Sequence, residues 1–297
     1  MSDYVPKPVV VGVDGSPQSM AAVTVAADEA AFRGVPLRLV HARSWAIDPE
    51  VPVAMPHPAL SMESTSDSWK VVDEARGQAQ SKHSTLEIVG DVVNGGPSYV
   101  LIDESEHACL TVLGSRGLGG FAGLLLGSTA VQVATYAAGP VLVVRGEARR
   151  DGPIVVGVDG GAAADAALGF GFAEAAARGL PLQAVYVWSG KPTPVVAAPG
   201  VDKPDKAQAA RGLLEEWLRE WRGKFPGVEV RPVPVRDAKP AHVLAEASSE
   251  HASLVVVGTR MRGPVRSRLL GSVAHTLIHC SQCPLVIVHR DESGSTP

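Results

Sequence analysis

Residues 8–15 read PVVVGVDG, and residues 153–160 read PIVVGVDG. Each is a run of β-branched residues that breaks at an Asp-Gly pair. A short continuous apolar run closed by a turn signal reads as a strand buried on both faces. Its recurrence 145 positions later asks whether the whole chain is written twice.

The repeat continues along the chain. Ala31-Phe32-Arg33-Gly34-Val35-Pro36-Leu37 returns as Ala176-Ala177-Arg178-Gly179-Leu180-Pro181-Leu182 at the same offset. Glu106-His107-Ala108 matches Glu250-His251-Ala252, and Gly127-Ser128 matches Gly271-Ser272, both 144 apart. Four separated blocks at a near-constant offset indicate a tandem duplication, with its seam in the charged stretch GEARRDG at 146–152. Two domains are expected, 1–147 and 152–297, each about the 150 residues that can bury a core of its own.

Within the first copy the elements alternate. The strand Val9–Val13 is followed by Ser16 as a helix N-cap and Pro17 as first helical residue, opening an Ala-rich helix over 18–32. Leu37–Ala42 reads as a second strand, and a Pro-rich stretch (Pro49, Pro52, Pro56, Pro58) leads to a polar helix over 66–82. Strands over 85–93, 110–113 and 141–145 alternate with helices over 98–106 and 128–137. Buried strands interleaved with helices predict a parallel sheet covered on both faces. The expected fold class is α/β, two tandem doubly wound domains of five strands each. Ligands of such sheets bind at the carboxyl ends of the strands, which places Asp14 beside the loop that follows the fourth strand.

That loop reads LGSRGLGGFAGLLLGSTA over 113–130. Gly114, Gly117 and Gly127-Ser128 give the spacing G-x2-G-x9-G-S. Glycines at 114 and 117 permit positive φ and close approach of backbone to a ligand. The helix opened by Gly127-Ser128 offers free N–H groups and a positive dipole end to a phosphate, with hydroxyls from Ser128 and Thr129. A glycine-rich turn with Ser128 as an ordinary N-cap is the other reading of these residues. The pattern is neither a P-loop, since no lysine follows the last glycine, nor the dinucleotide fingerprint of a first strand.

Composition excludes several classes. Hydrophobic residues are 45% and charged ones 20%, ordinary for a folded protein. A net charge of −4 and a pI near 6.1 give no general attraction to nucleic acid or anionic membrane. No apolar run reaches spanning length, and MSDYVPKP is no signal peptide, so a soluble cytoplasmic protein is expected. Three cysteines (Cys109, Cys280 and Cys283) form no disulfide framework.

Taken together, V-G-V-D-G-S at 11–16, L-V-H-A at 39–42, the spaced G-S-R-G and G-S of the loop, and P-V-L-V-V at 140–144 resemble the universal stress protein family in its tandem, ATP-binding form. The resemblance covers almost the whole chain. It implies strand order 3-2-1-4-5 in each domain and one or two ATP per chain. It implies that Asp14 meets the adenine or its sugar side, that Ala42 contacts adenine through its backbone, and that Gly114, Gly117, Gly127, Ser128 and Thr129 hold ribose and phosphates. It also implies domain pairing across the fifth strands, as an internal pseudo-dimer with further homodimerisation open. His41 reads as a packed strand-end residue rather than a base.

In the second copy Asp159 and Val187 stand at the positions of Asp14 and Ala42, and Gly258, Gly271, Ser272 and Val273 at the ends of the loop. Met261 replaces Gly117, a costly exchange if that position needs positive φ. Arg260, Arg262, Arg266 and Arg268 crowd the same loop, as phosphate ligands or as a solvated basic surface. Cys280 and Cys283 read as structural cysteines at a strand entrance, and Trp217 and Trp221 as a packing stripe at helical spacing. No HExxH and no G-x-S-x-G is present, and the chain shows no carboxylate set for Mg2+, whose binding would rest on phosphates and water. The expected function is a nucleotide-occupied stress sensor or regulator with little or no hydrolysis, acting on an unnamed protein partner. A nucleotide-hydrolysing or adenylyl-transfer enzyme and a nucleotide-free scaffold are the alternatives.

Overall fold

The computed structural model describes residues 6–43, 65–117, 126–146, 149, 151–188, 206–259 and 270–289. Two compact units divide the chain, Met1–Val144 and Arg145–Pro297.

The first unit runs β1 (Val9–Gly12), α1 (Pro17–Arg33), β2 (Leu37–Arg43), α2 (Thr65–Lys82), β3 (Ile88–Asn94), α3 (Pro97–Glu104), β4 (Leu110–Gly114), α4 (Ser128–Tyr136) and β5 (Val141–Val144), with a single 3-10 turn at Ser105–His107 after α3. Its strands lie in the order β3-β2-β1-β4-β5, all pairs parallel. Strand β1 is central, with Val9 level with Leu37 on one side and Leu110 on the other. Val9, Val10 and Val11 are completely buried, as a strand covered by helices on both faces must be.

The second unit repeats the plan with β6 (Ile154–Val158), α5 (Ala162–Arg178), β7 (Leu182–Trp188), α6 (Lys206–Lys224), β8 (Val230–Arg236), α7 (Pro240–Glu250), β9 (Leu254–Thr259), α8 (Ser272–Cys280) and β10 (Leu285–His289). Its order, β8-β7-β6-β9-β10, is that of the first unit, again all parallel. The strand order implied by the resemblance is therefore present in both units.

The repeated sequence blocks have local causes. Ser16 caps α1, its hydroxyl accepting from the Ser19 N–H at 3.2 Å, and Pro17 occupies the first turn where no amide is needed. Helix α1 ends at Gly34 and α5 at Gly179, with φ of 63° and 66°, the left-handed conformation that favours glycine. One turn earlier, Arg33 pairs with buried Glu29 and Arg178 with buried Glu174. The recurrent Arg-Gly is thus an ion pair to a buried carboxylate followed by a helix stop.

Core packing differs between the units in its aromatics. In the second, fully buried Phe172 stacks on Trp221 and Phe225, with ring centroids 6.2 and 5.7 Å away. Trp221 also donates its indole N–H to Asp165 at 2.8 Å, so its polar edge is satisfied on burial.

Candidate functional site

At the carboxyl end of β1 the chain turns through Asp14-Gly15-Ser16. Asp14 Oδ1 accepts the Ser16 N–H at 3.0 Å, and the Ser19 hydroxyl accepts the Asp14 N–H at 3.3 Å. Gly15 holds φ at 79°, the left-handed step of the turn that glycine takes without a Cβ penalty. Oδ1 is thereby committed to the backbone, which fixes the direction of the carboxylate. The neighbouring β2 adds His41, whose Nδ1 donates to the Val13 carbonyl at 2.9 Å in a buried setting, and then Ala42, half-buried and level with Val93 of β3. His41 is a packed strand-end residue, as its position suggested.

Strand β4 delivers the other half of the crevice. Gly114 ends it, and a Cβ there would lie 2.7 Å from the carbonyl carbon and oxygen of Gln18 in α1. Beyond it Ser115 is buried, its N–H on the Val144 carbonyl at 3.1 Å, and its own carbonyl accepts the Gly127 N–H at 2.9 Å. That bond closes the base of the loop and sets Gly127 as the N-cap of α4, at φ −77° and ψ 146°. Gly127 rather than Ser128 is the cap, and no side chain bonds the cap position. Ser128 and Thr129 form the first turn, with their amides at the helix start.

Gly117 lies directly against Asp14. A Cβ on Gly117 would press into Asp14 Oδ2, closer than real Cβ atoms approach any neighbour. Gly114 and Gly117 permit positive φ, a freedom the structure leaves unused. Neither adopts it, and among the described residues of this crevice the glycine with that backbone is Gly15. Glycine is required at 114 by helix packing and at 117 by the carboxylate.

The second unit reproduces the acidic turn and the helix start. Asp159 Oδ1 accepts the Gly161 N–H at 2.9 Å, and Gly160 holds φ at 74°. A Cβ on Gly258 would overlap the Ala163 carbonyl, the packing contact of Gly114 repeated. Gly271 caps α8 at φ −57° and ψ 150°, ahead of Ser272 and Val273 in its first turn. Val187, half-buried, lies level with Val235 of β8. Met261 and Arg260, Arg262, Arg266 and Arg268 lie outside the described residues.

Trp217, on α6, lies so close to Gly160 that a Cβ there would enter its indole ring. The same indole meets Tyr186 edge-on with centroids 5.1 Å apart. In the first unit Gly15 meets the smaller Val71, and His41 stands where Tyr186 does. The helical spacing of Trp217 and Trp221 signalled packing, but only the fold reveals that Trp217 packs on the acidic turn.

Of the two cysteines near the last strand, one alone has the buried setting expected of a structural cysteine. Cys283 is completely buried just before β10, whereas Cys280 is exposed at the end of α8. Burial pushes the Cys283 thiol up to about 11. Among the described residues no group of three or more His, Cys, Asp or Glu could hold a metal ion, and no helix is long and apolar enough to cross a membrane.

The family model described as the universal stress protein family matches twice, over residues 6–145 and 152–289. The chain belongs to the universal stress protein family. As a tandem universal stress protein it is 34% identical over 295 residues to a universal stress protein of Mycobacterium tuberculosis, covering 95% of this chain and 96% of that one. It is 34% identical over 292 residues to one of Mycolicibacterium smegmatis, covering 94% and 96%. Among solved structures, a universal stress protein from Archaeoglobus fulgidus superposes with a TM-score of 0.68 at 20% identity over 96% of this chain and 99% of that one, a likeness of fold.

Proposed function

We propose that this universal stress protein binds ATP in the crevice at the carboxyl ends of β1 and β4 and acts as a nucleotide-occupied regulator of the stress response. The observation that carries the reading is the seat formed by Asp14 and Gly117, where a carboxylate of fixed direction faces backbone that carries no side chain. In this reading Asp14 meets the adenine or sugar side and the Ala42 backbone lines the base. Gly114, Gly117 and Gly127 let the loop approach the ribose and phosphates, and Ser128 and Thr129 offer amides and hydroxyls at the start of α4. Mg2+, when present, is held through phosphate and water.

The second unit is proposed to use Asp159, Val187, Gly258, Gly271, Ser272 and Val273 in the same way, so that a chain takes one or two ATP. Hydrolysis is slow in this reading, because the loop has no P-loop lysine, the chain shows no carboxylate set for Mg2+, and His41 is a buried strand-end residue. The bound nucleotide is then a signal read by a protein partner rather than a substrate.

Acid extraction of the purified full-length protein, with chromatography of the released nucleotide, tests this. Intact ATP, stable over hours when added back, supports the reading. Rapid conversion to ADP or AMP would replace the regulator by an enzyme, and an empty protein without ATP affinity would leave a scaffold.

A further inference from the structure

Helix α8 carries the sequence SVAHTLIHC, with Ala274, Leu277 and Ile278 buried beneath it. Its two histidines, His275 and His279, are four residues apart and therefore lie on one face, one turn above the other. His275 is exposed and His279 half-buried. Their rings are separated by 5.1 Å between centroids and tilted by 51°.

That separation is informative. With a metal–nitrogen bond of about 2.0–2.1 Å, two imidazoles on adjacent positions of one tetrahedral ion have centroids about 5 Å apart. Paired histidines at i and i+4 on a helix are the ligand arrangement of H-E-x-x-H zinc sites. Here Thr276 stands where that motif has its glutamate, so the pair offers ligation without an attached general base. The helix end is held in place, since Arg145 donates to the Ile278 carbonyl and, at 2.9 Å, to the His279 carbonyl.

We propose that His275 and His279 form a surface site for a divalent transition ion of the zinc type, with water completing its coordination. Imidazole nitrogens select Zn2+, Ni2+ or Co2+ over Mg2+ and Ca2+, which prefer oxygen. Both histidines follow the first turn of α8 that is assigned to the second nucleotide, but neither is assigned to the nucleotide itself, so failure of the zinc test leaves that reading untouched.

The test is calorimetric titration of ZnCl2 into the full-length protein, its His275→Gln variant and its Cys280→Ser variant, with circular dichroism to confirm that each is folded. The exposed position of His275 makes its variant tolerable to the fold. Loss of a ligand is expected to weaken the tightest zinc site by at least about tenfold, since even outer-shell partners are worth 10–100-fold. Cys280→Ser should bind as the parent does. Equal affinity of parent and His275→Gln, no zinc binding by the parent, or loss of the site in Cys280→Ser would overturn the proposal.

Discussion

The Asp14 carboxylate rests against the α-carbon of Gly117, filling the space that a side chain at 117 would need. The two residues are contributed by the ends of β1 and β4, strands that run side by side through the centre of the first unit. Because Oδ1 of Asp14 is tied to the Ser16 amide, the carboxylate cannot swing aside without breaking its own turn.

Gly117→Ala should therefore displace Asp14 and weaken ATP binding in the first unit by about tenfold, equivalent to ~1.4 kcal/mol. Gly127→Ala is the contrast. Its added Cβ would meet its nearest neighbour at 3.6 Å, an ordinary contact, and its φ of −77° suits any residue. Affinities of the two variants measured by calorimetry should differ, and equal losses would show that loop glycines act generally rather than through Asp14.

Gly114→Ala and Gly258→Ala should also lower stability, besides any effect on the nucleotide. Each new methyl would run into backbone of the helix packed on the strand, Gln18 in one unit and Ala163 in the other. Overpacking of this kind costs about 1–3 kcal/mol. Urea denaturation should show a lower midpoint for both variants, and an unchanged midpoint would mean that the helices slide away without loss.

Much of this arrangement can be read from the sequence, and the reasons are local. The β-branched runs at 9–13 and 154–158 mark buried strands, Ser16-Pro17 marks a helix start, and the Arg-Gly pairs mark helix ends. Asp14 and the loop glycines can be assigned to the same end of the sheet because they follow strands of one parallel sheet, whose carboxyl ends share a side. The φ values cannot, because they follow from the path of the whole turn, and positive φ falls on Gly15 rather than Gly117. Trp217 was equally hidden, since its contact with Gly160 depends on how α6 lies over the acidic turn. Cys280 and Cys283 differ for the same kind of reason, one ending a helix at the surface and the other entering a strand.

The cysteines give a chemical prediction. At pH 8 the Cys283 thiol, pushed up to about 11 by burial, is protonated and shielded, whereas Cys280 is exposed. A thiol reagent should modify Cys280 quickly and Cys283 only after unfolding. Burying the neutral thiol also links stability to pH. Its folded pKa lies above the ordinary 9.0, so its contribution is complete below pH 9 and is lost as pH rises towards 11. Melting temperatures of the parent should fall more steeply over that interval than those of Cys283→Ala.

Calorimetric titration of ATP into the parent, Asp14→Ala and Ser16→Ala is the most direct test of nucleotide binding at the first crevice. Ser16→Ala removes the helix cap, worth about 1 kcal/mol of stability, and leaves the carboxylate in place. The parent should bind ATP, Ser16→Ala should bind it nearly as well, and Asp14→Ala should lose at least about tenfold in first-unit affinity. Asp14→Ala binding as tightly as the parent, or a parent that takes up no ATP, would contradict it.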